Sequence, residues 1–330
     1  MHTMNANDVR RVAVIGLGTM GHGIAQVFAA AGCTVRGYDE TPAARASLAD
    51  RVRGNLLRQE AAGLPLADPV DAIVARLTAC DREKDAVEAA EVVVEVVRED
   101  LAIKQEVLAR LESLVSDETI IASNTSSFPM TRLAERLVRP ERAINAHWFN
   151  PPHLVPVVEV VPGRLTSPAT TDFTVALLER IGKVPIRLRQ ELPGFLVNRV
   201  QTAMIREVFD LWSRGVASIE DIDAAIRGSM GFRLACHGPL QIADFGGLDI
   251  WLTGYSHLTP EIRSDTRPPA ALEALVKSGR LGTKSGSGIY DYTPESLKAR
   301  LAERDERFLA LSRLFYAERT GAPPDDRTAP

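Results

Sequence analysis

Three clusters of residues in this sequence have types and spacings that can do chemistry. The first is Gly16-Leu17-Gly18-Thr19-Met20-Gly21, which follows an apolar run at Val12–Ile15 and opens an Ala-rich stretch. Gly16 permits a tight turn, and Gly18 lets the backbone approach a pyrophosphate. Gly21 lets a helix pack closely on the strand, with the helix N-terminus facing the anion. Alone such a motif is weak, and a glycine-rich turn without a ligand is the alternative. Here an acid, Asp39, falls 23 residues after Gly16 at the end of the next β-rich run. A carboxylate at that point can bind both ribose hydroxyls of an adenosine and repels a 2′-phosphate. The cluster therefore predicts NAD in preference to NADP.

The second cluster is His147-Trp148-Phe149-Asn150-Pro151-Pro152 followed by Val157-Val158-Glu159. The histidine ends one apolar run and the glutamate lies inside the next, so a turn around the prolines can set them side by side. An imidazole paired with a carboxylate suits alcohol oxidation: the imidazole takes the hydroxyl proton as hydride leaves, and the carboxylate orients it. A glutamate inside a Val-rich strand also needs a partner, because burying it alone is costly. From spacing alone, a purely structural buried ion pair is the alternative. The third cluster, Ser123-Asn124-Thr125-Ser126-Ser127, follows a short apolar run. Hydroxyls and amides at the carboxyl end of a parallel strand face the ligand crevice; a polar strand-to-helix turn with an N-cap is the bland equivalent.

The elements that must hold these clusters alternate in the first half of the chain. Strands are expected at Val12–Ile15, Thr34–Tyr38, Val92–Val97, Thr119–Ala122, Ala143–Phe149, Val157–Val161 and Val184–Leu188. Helices are expected at Met20–Ala31, from Pro42 to about Ala62, at Pro69–Ala79, Asp100–Leu114 and Thr170–Ile181. This rhythm predicts a Rossmann-like, doubly wound parallel sheet over residues 1–190. After Leu192-Pro193-Gly194 only helical patterns remain, so residues 191–330 are expected to form an all-helical substrate and dimerisation domain. The first of its helices, Phe195–Arg214, carries an apolar stripe of Leu196, Val200, Ala203, Met204, Val208 and Leu211. Further helices are expected at Ile219–Ser229, Pro239–Tyr255, Pro268–Ser278 and Pro294–Tyr316, with a frayed tail at Gly321–Pro330.

Composition bounds the rest. The chain has 330 residues, 45% hydrophobic and 25% charged, with a net charge of −4. Those values suit a two-domain soluble globular chain, and they give no electrostatic reason to expect nucleic acid or an anionic membrane surface. No run is apolar and long enough to span a bilayer, and the polar start does not read as a signal peptide. Cys33, Cys80 and Cys236 are odd in number and far apart, which fits a reducing cytoplasm and no disulfide framework. Cys236-His237 lacks any partner at metal-ligand spacing, so no metal is expected. His22, His153, His237 and His257 read as surface or satisfied histidines.

Six ordered motifs resemble the L-3-hydroxyacyl-CoA dehydrogenase family over nearly the whole chain. They are the glycine turn with Asp39, the Ser-Asn-Thr-Ser-Ser turn, His147-x-x-Asn150-Pro with Glu159, Pro193-Gly194-Phe195-x-x-Asn198-Arg199, Gly238-Pro239 with Asp244, and Gly282-x-Lys284 leading to Tyr290. The resemblance implies that His147 is the general base and Glu159 its partner, with Ser126 and Asn198 bonded to the reacting oxygen. It places Gly16, Gly18, Thr19, Met20, Gly21, Asp39, Glu99, Lys104, Asn124 and Lys284 around NAD. Asn150 and Arg233 join Ser126 and Asn198 as expected substrate contacts. A homodimer built through the helical domain, and a 3-hydroxyacyl-CoA substrate of fatty acid metabolism, are further implications.

Two features depart from the CoA-using members. Asn150-Pro151-Pro152-His153 stands where they carry Asn-Pro-Val, and Tyr292-Thr293-Pro294 opens the final helix. The first looks like relatives that act on free hydroxy acids such as gulonate or carnitine, or on a pyridine carboxylate, and the second like the last of these. The lysine-rich arm of CoA users is absent too. Arg45, Arg51, Arg53 and Arg58 stand there instead, and only Arg51 and Arg58 align on one helical face. A free or cyclic hydroxy acid is therefore the alternative substrate. The 3-hydroxyisobutyrate dehydrogenase group is disfavoured because residues 170–182 lack its catalytic lysine pattern. A lens-crystallin-like structural role is disfavoured because Ser126, His147, Glu159 and Asn198 are all present.

Overall fold

A computed structural model of the chain describes residues 5–320, with side chains to residue 315. Backbone contacts divide it into two compact units, one ending at Asn198 and one starting at Arg199.

The first unit is built on eight strands: β1 (Arg11–Ile15), β2 (Thr34–Tyr38), β3 (Leu77–Ala79), β4 (Val92–Glu95), β5 (Ile120–Ser123), β6 (Ala143–Trp148), β7 (Val157–Val161) and β8 (Val184–Arg187). They lie in the order β3-β2-β1-β4-β5-β6-β7-β8. The direction of winding reverses between β1 and β4, the point at which a doubly wound sheet opens a crevice at its carboxyl edge. The helices are α1 (Gly21–Ala30), α2 (Pro42–Ala46), α3 (Leu48–Ala61), α4 (Val70–Val74), α5 (Glu83–Val87), α6 (Leu101–Leu114), α7 (Met130–Leu133) and α8 (Pro168–Arg180). Val12, Val14, Val92 and Val94 face one packed layer with Ile24 and Phe28 of α1, whereas Ala13, Ile15 and Val93 face the other with Val107 and Leu111 of α6. This is the two-faced burial that makes β1 and β4 read as unbroken apolar runs.

Two strands depart from the expected parallel sheet: β7 and β8 run parallel to each other and opposite to the other six. β7 runs antiparallel to β6, pairing Asn145 with Val161 and His147 with Glu159. Residues 149–156, the link between them, are too few for a crossover, which takes a dozen or more. Elsewhere the expected helix at Pro69–Ala79 stops at Val74, and Leu77–Ala79 instead joins the sheet beside Val35–Gly37. An open edge of β2 captures that short segment. The expected helix from Pro42 is broken at Ser47, whose Oγ bonds back to the Ala43 carbonyl at 2.7 Å, a contact that bends helices.

The second unit is helical: α9 (Val197–Ser213) leads into it, followed by α10 (Ile219–Ile226), a π turn at Arg227–Gly231, α11 (Phe232–Leu234), α12 (Pro239–Gly246), α13 (Leu248–Leu258), α14 (Ala270–Lys277) and α15 (Pro294–Thr320). Gly247, at a φ of +84°, separates the two halves of the expected Pro239–Tyr255 helix. Among the described residues no helix is long and apolar enough to cross a membrane, and no cluster of potential ligands can hold a metal ion. The three cysteines are free.

Candidate active site

The glycine turn joins the carboxyl end of β1 to α1. A Cβ on Gly16, whose φ is +98°, would meet the Val96 carbonyl at 2.6 Å, and one on Gly21 would meet the Gly16 carbonyl at 1.8 Å. Both positions therefore require glycine for packing. Gly18 does not: nothing lies within 4 Å of where its Cβ would sit. That open space is the cradle a pyrophosphate requires. Asp39, at the end of β2, accepts the Leu17 N–H at 2.7 Å and the Thr41 N–H at 2.8 Å. Gly16, Gly18, Asp39 and Thr41 line a cleft of about 520 Å³ together with apolar Val96, Val97 and Ile103 and charged Glu106 and Arg110. The residues fit the adenosine half of NAD: apolar walls, a carboxylate at the ribose position and an open glycine turn.

Beyond the switch point, three carboxyl ends converge. At the end of β4, Glu95 is fully buried; its carboxylate takes Lys104 Nζ at 2.9 Å, Ser123 Oγ at 2.6 Å and the Val97 N–H at 2.7 Å. Lys104 is itself 1% exposed and lies 3.4 Å from Glu99. Glu99 caps the third cluster, its Oε1 accepting from Thr125 Oγ1 and Ser127 Oγ and from the Ser126 and Ser127 N–H groups at 2.6–3.0 Å. Burial alone would push Glu99 up, but these donors and the Lys104 charge hold it below the ordinary carboxylate range. Asn124 Oδ1 accepts the Trp148 N–H at 2.8 Å, tying the turn after β5 to the end of β6. Asn198 Nδ2 donates to the Ser126 carbonyl at 3.3 Å. Lys104, expected at the cofactor, is thus sealed beneath Glu99, and Asn124 spends its oxygen on the backbone.

The His–Glu pair is a register fact. His147 and Glu159 are directly opposed on β6 and β7, and Nδ1 lies 2.7 Å from Oε2. His147 is 4% exposed and Glu159 fully buried. The other glutamate oxygen accepts the Leu196 and Val197 N–H groups at 3.0 and 2.9 Å. A carboxylate with three donors satisfies the desolvation requirement that the sequence raised. With Nδ1 donating to it, Nε2 is the ring nitrogen left to accept a hydrogen bond. Phe149 and Phe195 flank the imidazole, at centroid distances of 4.6 and 5.5 Å. Phe195 has a φ of +51°, a conformation that costs a bulky residue about 1–3 kcal/mol and persists only when its surroundings impose it. Asn150 precedes a cis peptide bond to Pro151.

The arginines of the second-strand arm are turned to other work. Arg51 donates to the Leu17 carbonyl at 2.7 Å and the Gly18 carbonyl at 3.3 Å, and Arg45 to the Asp39 carbonyl at 2.7 Å. Arg53 pairs with Asp71, and Arg58 donates to Asn55 Oδ1 at 2.6 Å. Of the aligned pair, Arg51 is therefore committed to backbone carbonyls and Arg58 to Asn55. Sequence reasoning missed this, and missed Glu95 and Lys183. Glu95 alone had a signal, a glutamate closing a run of valines. Lys183 is 5% exposed and donates to the Pro152 and Val155 carbonyls at 2.7 and 2.9 Å, holding the loop after β6. Burial pulls its ammonium down to about 7. On the helical unit, Arg233 is exposed, with Nε 3.4 Å from the Ser229 carbonyl, and Lys284 sits exposed in the turn bridged by Gly282 and Ser287.

A doubly wound sheet, an NAD-shaped cleft and a His–Glu pair define a nicotinamide-dependent oxidoreductase acting on a CH–OH group. Residues 11–191 match the 3-hydroxyacyl-CoA dehydrogenase NAD-binding domain, and residues 194–292 match its C-terminal domain. The chain belongs to the 3-hydroxyacyl-CoA dehydrogenase family, and its cofactor is NAD. It is 38% identical over 310 residues to the 5-formyl-3-hydroxy-2-methylpyridine 4-carboxylate 5-dehydrogenase of Mesorhizobium japonicum, covering 93% of this chain and 98% of that one. A solved structure of a dehydrogenase acting on that pyridine acid, described as an NAD+-dependent dismutase, superposes with a TM-score of 0.86 at 36% identity, covering 93% and 98%. The (S)-3-hydroxybutyryl-CoA dehydrogenase of Ralstonia eutropha superposes with a TM-score of 0.70 at 34% identity, covering 87% and 100%.

Proposed function

We propose that the chain oxidises the hydroxyl-bearing carbon of a small free carboxylate, an aromatic or pyridine ring being the best match, with His147 as general base. The observation that carries the base is the 2.7 Å contact between His147 Nδ1 and Glu159. It leaves Nε2 to take the hydroxyl proton and lets Glu159 stabilise the imidazolium that results. Bound NAD supplies the hydride acceptor. Ser126 and Asn198 donate to the oxygen as it becomes a carbonyl. The proton then passes from His147 to solvent, so the balance is alcohol and NAD+ to carbonyl, NADH and a proton. Gly16, Gly18, Thr19, Met20, Gly21 and Asp39 serve as cofactor contacts, Glu99, Lys104 and Asn124 shape the turn beside them, and Asn150 addresses the substrate; Lys284 and Arg233, on the helical unit, remain the expected contacts to the cofactor and to the substrate's carboxylate.

The substrate class rests on the arm. A CoA thioester brings several phosphate charges that need a basic ledge, and here Arg45, Arg51 and Arg53 bond to carbonyls and an aspartate of the chain itself. The greater similarity to the pyridine-acid relative points the same way. The second reading, a 3-hydroxyacyl-CoA such as 3-hydroxybutyryl-CoA, is favoured by the family profile over both units. A screen of NAD reduction separates them: 3-hydroxybutyryl-CoA beside free 3-hydroxybutyrate, gulonate, carnitine and pyridine or benzene acids bearing hydroxymethyl or formyl groups. Turnover of the free acids alone is expected; efficient oxidation of the thioester alone overturns the substrate reading. The helical unit leaves Phe245, Leu248, Leu252 and Leu258 more than half exposed, which supports a homodimer closing over them, to be checked by the mass in solution.

A further inference from the structure

We propose that Arg51 and His22 form a clamp that presets the pyrophosphate-binding peptides of the glycine turn. The clamp lies outside the cluster that the sequence marks for the cofactor. Arg51 stands on α3 and His22 in the first turn of α1. The two ends of the Arg51 guanidinium reach two successive carbonyls, Leu17 at 2.7 Å and Gly18 at 3.3 Å. His22 Nδ1 lies 2.8 Å from the same Gly18 carbonyl, and since that oxygen only accepts, Nδ1 carries the proton. Burial lowers the His22 pKa, the Gly18 carbonyl opposing it and the Arg51 and Arg58 charges adding to it. Burial thus disfavours the charged ring, and the Gly18 contact keeps the proton on Nδ1. The guanidinium is fixed in turn by the Ala44 carbonyl at 2.9 Å and the Ser47 carbonyl at 3.3 Å.

Planarity of the peptide gives this arrangement its consequence. In a trans peptide the C=O of one residue and the N–H of the next point in opposite directions. Holding the Leu17 and Gly18 oxygens on the Arg51 side turns the Gly18 and Thr19 N–H groups to the opposite side. Among the described residues, neither of these N–H groups finds a backbone acceptor in the chain. Asp39 holds the Leu17 N–H from the other flank at 2.7 Å. The turn is thus braced at three successive peptides with its two spare donors aligned, an anion site whose geometry is set before the anion arrives. Gly18 has the freest backbone of the turn; without the fork the Leu17 carbonyl loses its side-chain donor and its peptide can rotate, and the Gly18 carbonyl is left to His22.

The test uses the full chain with Arg51→Met and Arg51→Lys, titrated with NADH, ADP-ribose and adenosine. Arg51→Met should weaken NADH and ADP-ribose about tenfold, the scale of one hydrogen bond to a charged donor at the weak end of its range. Adenosine, which lacks the pyrophosphate, should bind as it does to the wild type. Arg51→Lys keeps the charge and loses the fork, so it should resemble Arg51→Met. Wild-type NADH affinity in Arg51→Lys would show that charge alone matters and overturn the clamp. Loss of adenosine in step with NADH would show general damage to the cleft and also overturn it.

Discussion

Replacing Glu159 by Gln changes one atom and, by the geometry of its three donors, reverses a proton. Oε1 serves two backbone N–H groups, at 3.0 and 2.9 Å, and Oε2 serves His147 Nδ1 at 2.7 Å. The amide of a glutamine has one oxygen to give. Turning that oxygen to His147 would set an NH2 against the two N–H donors of Leu196 and Val197, losing two hydrogen bonds of about 1 kcal/mol each and adding repulsion. The oxygen therefore stays with the backbone and the NH2 faces Nδ1. That imidazole nitrogen must then accept, its proton moves to Nε2, and the ring can no longer take a proton from the substrate. General-base catalysis is worth about 10²–10⁴, and the analogous tautomer swap in serine protease triads costs about 10⁴. Glu159→Gln should accordingly lower kcat by about 10²–10⁴ while NADH affinity and the thermal midpoint remain close to wild type. His147→Gln should fall within the same range. NAD reduction under saturating substrate measures kcat, and NADH fluorescence measures the cofactor. A Glu159→Gln enzyme within about tenfold of wild-type kcat would refute the assignment of Nε2 as the base.

Two further predictions concern cofactor choice and pH. NADH should bind more tightly than NADPH because Asp39 meets the ribose, and Asp39→Ala should narrow that preference. The same variant should weaken NADH itself, since the carboxylate also holds the Leu17 and Thr41 amides; paired fluorescence titrations check both, and equal NADPH binding in the wild type would rule the assignment out. Lys183 has a folded pKa pulled down to about 7 by burial, against an ordinary 10.5. Between those values the unfolded chain holds the proton and the folded chain does not, so stability rises with pH from about 7 towards 10, by no more than about 5 kcal/mol. The difference in unfolding free energy between wild type and Lys183→Met should follow that rise, and a difference independent of pH would mean that the ammonium stays charged throughout.

The parts of the fold that repeat a strong local pattern were legible in the residues. Val157–Val161 and Thr34–Tyr38 have the bounds that their β-branched runs indicate, and the glycine turn joins the strand and helix it was expected to join. The antiparallel turn of β7 was implied by the short link at residues 149–156, yet the alternating rhythm around it argued for a parallel neighbour. Leu77–Ala79 carries no β signal of its own; the open edge of β2 makes it a strand, and no window of sequence contains that edge. At the site, residue types foretold the His147–Glu159 contact because burial leaves a lone glutamate no other choice. Helical spacing aligns Arg51 with Arg58 on one face but does not name its partners. Its real partners are backbone carbonyls 33 and 34 residues earlier, and carbonyls have no signature in a sequence.

The reversal of β7 also bears on how the site assembles. His147 and Glu159 are 12 residues apart in the chain, joined by one hairpin-like connection. Leu17 and Asp39 are 22 apart, Ser123 and Glu95 are 28 apart, and Asn198 and Ser126 are 72 apart. Loop closure grows dearer with separation, slowly but steadily, and contacts between distant segments form late. The acid–base pair is thus closer in the chain than these contacts between crossover-linked segments, and can form within a single hairpin before the crossovers around it are complete. Glu159 then enters the interior with its histidine already in hand, and the buried charge need not wait unpaired for the rest of the sheet.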